Sequence, residues 1–190
     1  EHHSNIVPWQ LCAKDTGAVL RYIPITDDGL LDLSDLGSLL TERTKILSVT
    51  GMSNALGTIT PLKQLVESAH AVGAIFCVDA AQLAPHHRID VQELDVELLG
   101  FSGHKMLGPT ASGGLYGKAE ILDAMDPMFG GGEMIHEVFH DRSTFKPVPC
   151  VEVATPAWLD AALLAPEDEE PPPEHATSSA PPAAPKSPRT

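Results

Sequence analysis

Three short polar clusters carry the chemistry, and each directly follows an apolar run. The run at 74–79 ends in Asp79-Ala80-Ala81-Gln82. The run at 96–101 leads into Ser102-Gly103-His104-Lys105. The stretch from Lys45 to Thr50 leads into Gly51-Met52-Ser53-Asn54-Ala55-Leu56-Gly57-Thr58. A carboxylate at the end of a buried strand needs a cation or several donors. A protonated pyridine nitrogen would provide that cation, the pairing that turns pyridoxal 5'-phosphate (PLP) into an electron sink. A lysine in a tight Gly-rich turn can lose its proton and bond a carbonyl carbon. Ser102 and His104 flank it and could bind phosphate. Each residue also has a plainer reading: Asp79 as the cap of its own turn, Lys105 and His104 as solvated loop residues, Asn54 as a turn residue. The conjunction is more specific than any member, because in sheets with helical crossovers ligands bind at the carboxyl ends of strands.

The elements that would position these clusters follow from periodicity. Strands are expected at 18–25, 45–50, 74–79 and 96–101, with a further short apolar run at 113–116. Asp27-Asp28-Gly29 reads as a turn. Leucines at 33, 36, 39 and 40 predict a helix over 31–40. A second helix should start at Thr60-Pro61, with Thr60 as its cap, and run to about Val72 before Gly73. A short one should cover 119–125. Apolar strands alternating with helices mean an α/β fold with a mainly parallel sheet flanked by helices.

The 190 residues suffice for one domain with a real core. The formal net charge of -14 argues against a nucleic-acid partner, which needs basic patches. No apolar run is long enough to span a membrane. Cys12, Cys77 and Cys150 are scattered, with no disulfide or zinc spacing, and Cys77 reads as a core thiol. The chain opens on Glu1 without an initiator methionine, so more sequence is expected upstream, and no compartment can be read. The last 25 residues hold eight prolines, which predicts a disordered tail.

The chain resembles the class V aminotransferases, in particular cysteine desulfurases of the SufS-like branch, which includes selenocysteine lyases. The resemblance covers roughly residues 1–156. It rests on Glu1-His2-His3-Ser4-Asn5-Ile6-Val7-Pro8-Trp9, Ser53 to Thr58, Val78 to Gln82, His86 to Val91, Phe101 to Thr110 and Gly130 to Ile135. The Ser-Gly-His-Lys-x-x-Gly-Pro match is the most specific. The resemblance implies the large domain of fold type I PLP-dependent transferases and an enzyme that takes L-cysteine to L-alanine, supplying sulfur for iron–sulfur cluster assembly. It further implies that Lys105 carries the cofactor and later a proton, that Asp79 pairs with the pyridine nitrogen, and that Gln82 and Asn54 bond the ring's phenolic oxygen. Ser102 and His104 would hold the phosphate. His2 would stack on the ring and assist proton transfer. Residues 130–132 would lie at a homodimer interface. A sulfur-acceptor protein is a further implied partner.

The family's nucleophilic cysteine and its carboxylate-binding arginine lie downstream of the resembling part, and none of the three cysteines matches that nucleophile. The expectation is therefore a partial PLP-binding domain over 1–156 and a divergent tail over 157–190, with the nucleophile missing. Three other readings remain: another class V activity, of aminotransferase or kynureninase type, a non-catalytic dimerising remnant, and a metalloprotease. The last rests on His136-Glu137-Val138-Phe139-His140, which fits H-E-x-x-H. Glycines precede it and Asp141-Arg142-Ser143 follows, so the supporting helix is not expected. Neighbouring histidines in His2-His3 and His86-His87 point to opposite faces of an extended chain and are not expected to hold a metal.

Overall fold

Strand residues that are apolar on both faces are covered when the strands pair into a sheet with helices packed on its faces. The chain meets this demand in a computed structural model that describes residues 1–127 and 134–146. After a single 3₁₀ turn at His3–Asn5 come α1 (Val7–Thr16), α2 (Leu36–Leu39), β1 (Ile46–Thr50), α3 (Leu62–Ala71) and β2 (Ile75–Asp79). Next are α4 (Leu83–His86), α5 (Val91–Leu94), β3 (Leu98–Ser102), a 3₁₀ turn at Gly103–Met106, β4 (Gly113–Gly117) and α6 (Ala119–Asp123). Strands β5 (Ile135–Val138) and β6 (Ser143–Phe145) form a separate antiparallel pair.

The main sheet has the order β1-β2-β3-β4. The first three strands are parallel and β4 is antiparallel to β3. Phe76 and Val78 of β2 are fully buried, and Leu62, Leu65, Val66 and Ala69 of α3 are buried in the same core cluster. Leu65 and Phe76 are each 0% exposed, which is worth about 2–3 kcal/mol apiece. The register pairs Thr50 with Asp79 and Asp79 with Gly100, so the carboxyl ends of β1 and β2 are level.

Three local expectations fail, each because a nearer partner wins. Residues 18–25 form no strand. They contribute one isolated bridge, Ile25 to Leu31, around the turn at Asp27–Gly29, where Gly29 takes a φ of 75°. Pro24, lacking an N–H, cannot extend that ladder. The helix expected over 31–40 shrinks to Leu36–Leu39. Leu31 belongs to the bridge, and the Asp32 carboxylate accepts the Ser34 N–H at 3.0 Å, a local bond that competes with helix formation. Thr60 does not cap α3: its hydroxyl donates to the Thr50 carbonyl at 2.6 Å, which ties the helix entry to the end of β1.

A charge cluster closes the amino ends of β2 and β3. Buried Glu97 accepts from Lys118 Nζ at 2.6 Å, from the Phe76 N–H at 2.9 Å and lies 3.0 Å from His70 Nε2. Lys118 also donates to Asp95 at 2.6 Å. Asp95 sits in the left-handed region at φ 59°. Burial works against the Glu97 charge, yet the bonds from Lys118, Phe76 and His70 hold its carboxyl below the usual 4.5. Burial likewise works against the Lys118 charge, but its two carboxylate partners push it up to about 12.

The sign of each shift sets a pH window. Glu97 contributes stability above 4.5 and loses it as pH falls through its lowered value. Lys118 contributes fully below 10.5 and loses its contribution as pH rises towards about 12. Glu97→Gln, which leaves Lys118 short of a charged acceptor, should cost about 2–3 kcal/mol near neutral pH and flatten both limbs. Urea unfolding across pH measures this. An unchanged midpoint would refute the account.

Candidate active site

The parallel strands end at one edge, and their following turns enclose a cleft of about 180 Å³. All seven residues singled out by sequence line it: His2, Asn54, Asp79, Gln82, Ser102, His104 and Lys105. Four that the sequence reading left out of the candidate site join them: Ser4, Thr50, Met52 and Ala81. Thr50 had a signal, as the last residue of an apolar strand level with Asp79. Ser4 had one in its spacing from His2, two residues apart across a turn.

Asp79 closes β2 and is 6% exposed. Its Oδ1 accepts the Ala81 N–H at 2.9 Å, so the plainer reading of a turn cap is correct for one oxygen. Among the described residues this carboxylate has no ion-pair partner. A buried carboxylate with only one donor from its own chain suits a cationic guest.

Ser102 closes β3 and is buried. Its Oγ lies 2.8 Å from His104 Nδ1. Lys105 follows in the Gly103–Met106 turn, half-buried. That turn is tight: the Gly103 N–H donates to the Ser112 carbonyl at 2.7 Å and the Gly108 N–H to the Gly103 carbonyl at 2.8 Å. A Cβ on Gly108 would come within 2.8 Å of that same carbonyl oxygen, so glycine is required there. Leu107 takes a left-handed φ of 63°, a conformation that costs a leucine about 1–2 kcal/mol.

Asn54 sits in the turn after β1, closed by the Ser53 N–H to Thr58 at 2.9 Å and the Gly57 N–H to Ser53 at 3.0 Å. Gly51, at its start, lets the backbone pass over α4: a Cβ there would meet Leu83 Cδ2 at 2.8 Å. His2 enters from the amino-terminal segment. Its Nδ1 accepts the Ser4 N–H at 3.2 Å and caps the His3–Asn5 turn.

The remaining sequence features lie elsewhere. His136 and Glu137 are in β5 and His140 is in the turn beyond it, so no helix carries the H-E-x-x-H residues. Among the described residues no three His, Cys, Asp or Glu side chains are grouped to share a metal ion. No described helix is long and apolar enough to cross a membrane. Cys12 is exposed on α1. Cys77 lies in β2 opposite Ser48, where burial pushes its thiol up to about 11, too high for a nucleophile at neutral pH. The glycines at 130–132, Cys150 and the Pro-rich tail lie outside the described residues.

Comparison with known proteins points the same way. A cysteine desulfurase of Dickeya dadantii is 54% identical over 144 residues, which is 76% of this chain and 35% of that protein. A probable cysteine desulfurase of Streptomyces coelicolor is 52% identical over 149 residues, 78% of this chain and 36% of the relative. The crystal structure of the Escherichia coli cysteine desulfurase CsdA, in an S-sulfonic acid form, superposes with a TM-score of 0.76 at 44% identity, covering 84% of this chain and 40% of that one. The chain thus spans between a third and two fifths of the length of these relatives. Its fold is that of the fold type I large domain, with its mostly parallel sheet and flanking helices. The model of the aminotransferase class-V family matches residues 1–165, and the chain belongs to that family.

Proposed function

We propose that this chain supplies the PLP site of a cysteine desulfurase, which converts L-cysteine, or selenocysteine, to alanine and delivers the sulfur for iron–sulfur cluster assembly. One observation carries the reading: seven residues from four separate segments converge on one cleft at the carboxyl ends of β1, β2 and β3. The cysteine desulfurases among the relatives favour this activity over other class V chemistry.

The donor set fits the cofactor. Asp79 offers a buried carboxylate without a cation among the described residues. Ser102, His104 and the tight Gly-rich turn offer donors for a phosphate, and Lys105 offers an amine in the same turn. When bound, PLP draws electrons from the substrate's α-carbon into its ring. Asp79 would hold the proton on the ring nitrogen and so keep that sink charged. Gln82 and Asn54 would bond the phenolic oxygen and fix the ring's orientation. Lys105 Nζ would hold the cofactor covalently and, once released by the substrate amine, take and return the α-proton. His2 would lie against the ring and assist that transfer. Neither Cys12 nor Cys77 is placed to accept sulfur: one is exposed on α1, the other a high-pKa thiol within the sheet. In this reading the sulfur-accepting thiolate comes from elsewhere in the whole protein, which works as a homodimer and passes sulfur to an acceptor protein.

The cofactor site is tested first by chemistry. PLP added to the full chain and reduced with borohydride should fix a pyridoxyl group on Lys105, located by peptide mass spectrometry. A label on another lysine with Lys105 free would overturn the assignment. The second test is Asp79→Asn, which removes a charge pair that is partly buried and should cost about 3–5 kcal/mol of cofactor binding. PLP titration by absorbance should then show affinity lower by about two to three and a half powers of ten. Asp90→Asn, at the exposed cap of α5, should leave affinity unchanged. Equal affinities in the two variants would remove Asp79 from the ring nitrogen.

A further inference from the structure

The amino-terminal segment brings His2 to the cleft, yet the His3–Asn5 turn has no buried residue to hold it there. Its first five residues, Glu-His-His-Ser-Asn, contain no apolar side chain. Its attachment is polar and runs through the Asn5 amide and the Glu1 carboxylate that it holds. Asn5 Oδ1 accepts from Ser48 Oγ of β1 at 2.8 Å and from Trp9 Nε1 of α1 at 2.8 Å. Asn5 Nδ2 donates to Glu1 Oε2 at 2.6 Å, and Glu1 Oε1 accepts the N–H of Thr50, the last residue of β1, at 2.8 Å. The Asn5 N–H also closes the turn onto the His2 carbonyl at 2.8 Å. Within the main sheet β1 is an edge strand, so Ser48 and Thr50 have groups available on that side.

The attachment has a chemical consequence at His2. His2 Nδ1 lies 3.0 Å from Ser4 Oγ, a hydroxyl that can donate or accept, and 3.2 Å from the Ser4 N–H, which can only donate, so both contacts are satisfied together only when Nδ1 accepts. In the neutral ring Nδ1 is therefore the acceptor, and the proton resides on Nε2. The ring presents a single face and a single tautomer to the cleft as long as the turn keeps its place.

We propose that Asn5 is a positioning residue: its amide pins the His3–Asn5 turn to β1 and α1 and thereby holds His2 at the cleft as the Nε2–H tautomer. This rests on the proposed function only in giving His2 a cofactor to face. The arrangement itself is a property of the chain alone.

The test reads the ring nitrogens directly. The full chain, labelled with ¹⁵N-histidine and kept without PLP at a pH where the ring is neutral, is observed by long-range ¹H–¹⁵N NMR. The His2 signals are identified by their loss in His2→Asn. The expected spectrum shows a pyridine-type Nδ1 and a pyrrole-type Nε2. Asn5→Asp sets a carboxylate against Glu1 and should collapse these to the averaged signals of a free imidazole. The pair Asn5→Asp with Glu1→Gln reverses the donor and acceptor between the two side chains, leaves an oxygen for Thr50, and should restore the single tautomer. Ser48→Ala removes one donor from Asn5 and should give a partial shift in a chain whose core is untouched. A His2 signal indifferent to Asn5→Asp, or an Nδ1–H tautomer in the unmodified chain, would overturn the proposal. Because no cofactor is present, neither result depends on whether Lys105 binds PLP.

Discussion

The site depends on the parallel register of β1, β2 and β3. Backbone bonds extend that register into the first residues beyond each strand: the Gly51 N–H donates to the Asp79 carbonyl and the Ala80 N–H to the Gly100 carbonyl, both at 2.8 Å. The turns carrying Asn54, Asp79 and Gln82 are therefore stitched to neighbouring strands before they diverge. Parallel strands put their carboxyl ends on the same edge, and only that edge can gather side chains from several crossovers. β4, the antiparallel strand, adds no carboxyl end there. It serves the Lys105 turn instead, because Gly113 pairs with Ser102 and fixes where that turn returns to the sheet.

The two ends of the sheet treat charge differently. At the amino ends, Glu97, Asp95, Lys118 and His70 satisfy one another, and the cluster stabilises the charged forms of its acids and its lysine. At the carboxyl ends, Asp79 and Lys105 face a shared cleft without ion-pair partners among the described residues. A buried charge left without a partner by its own chain costs stability, and such sites are where ligands are held. The cluster also explains why Asp95 adopts the left-handed region: its carbonyl and carboxylate both receive the Lys118 ammonium, at 3.3 and 2.6 Å.

Backbone permissiveness is concentrated where the cleft is built. Gly51, Gly57 and Gly108 each meet a different demand: passage over Leu83, a φ of 73° and contact with a carbonyl. Leu107 meets a similar demand without glycine's freedom, and its side chain is fully exposed in a strained conformation two residues beyond Lys105. The two cysteines among the described residues, Cys12 and Cys77, by contrast, do not line the cleft. Cys77 shares β2 with Asp79, and burial keeps its proton on.

Much of this was legible in the sequence. The runs ending at Thr50, in Asp79 and in Ser102-Gly103-His104-Lys105 determined three strands, a mainly parallel sheet and the edge where chemistry gathers, because largely apolar strands leave few other ways to be buried. All seven candidate site residues lie on one cleft, since their positions follow directly from those strand ends or, for His2, from the Glu-His-His-x-Asn motif. What failed was local structure outside the core. Residues 18–25 and 31–40 had strand and helix patterns, but a turn, Pro24 and the Asp32–Ser34 bond decided their conformation. Thr60 likewise had a capping residue's identity and found a better acceptor in Thr50. Only the tertiary structure decided the bonds of Ser48 to Asn5 and of Thr50 to Glu1 and the cluster around Glu97, because hydrogen bonds between residues 21 to 49 positions apart leave no periodic trace in a sequence.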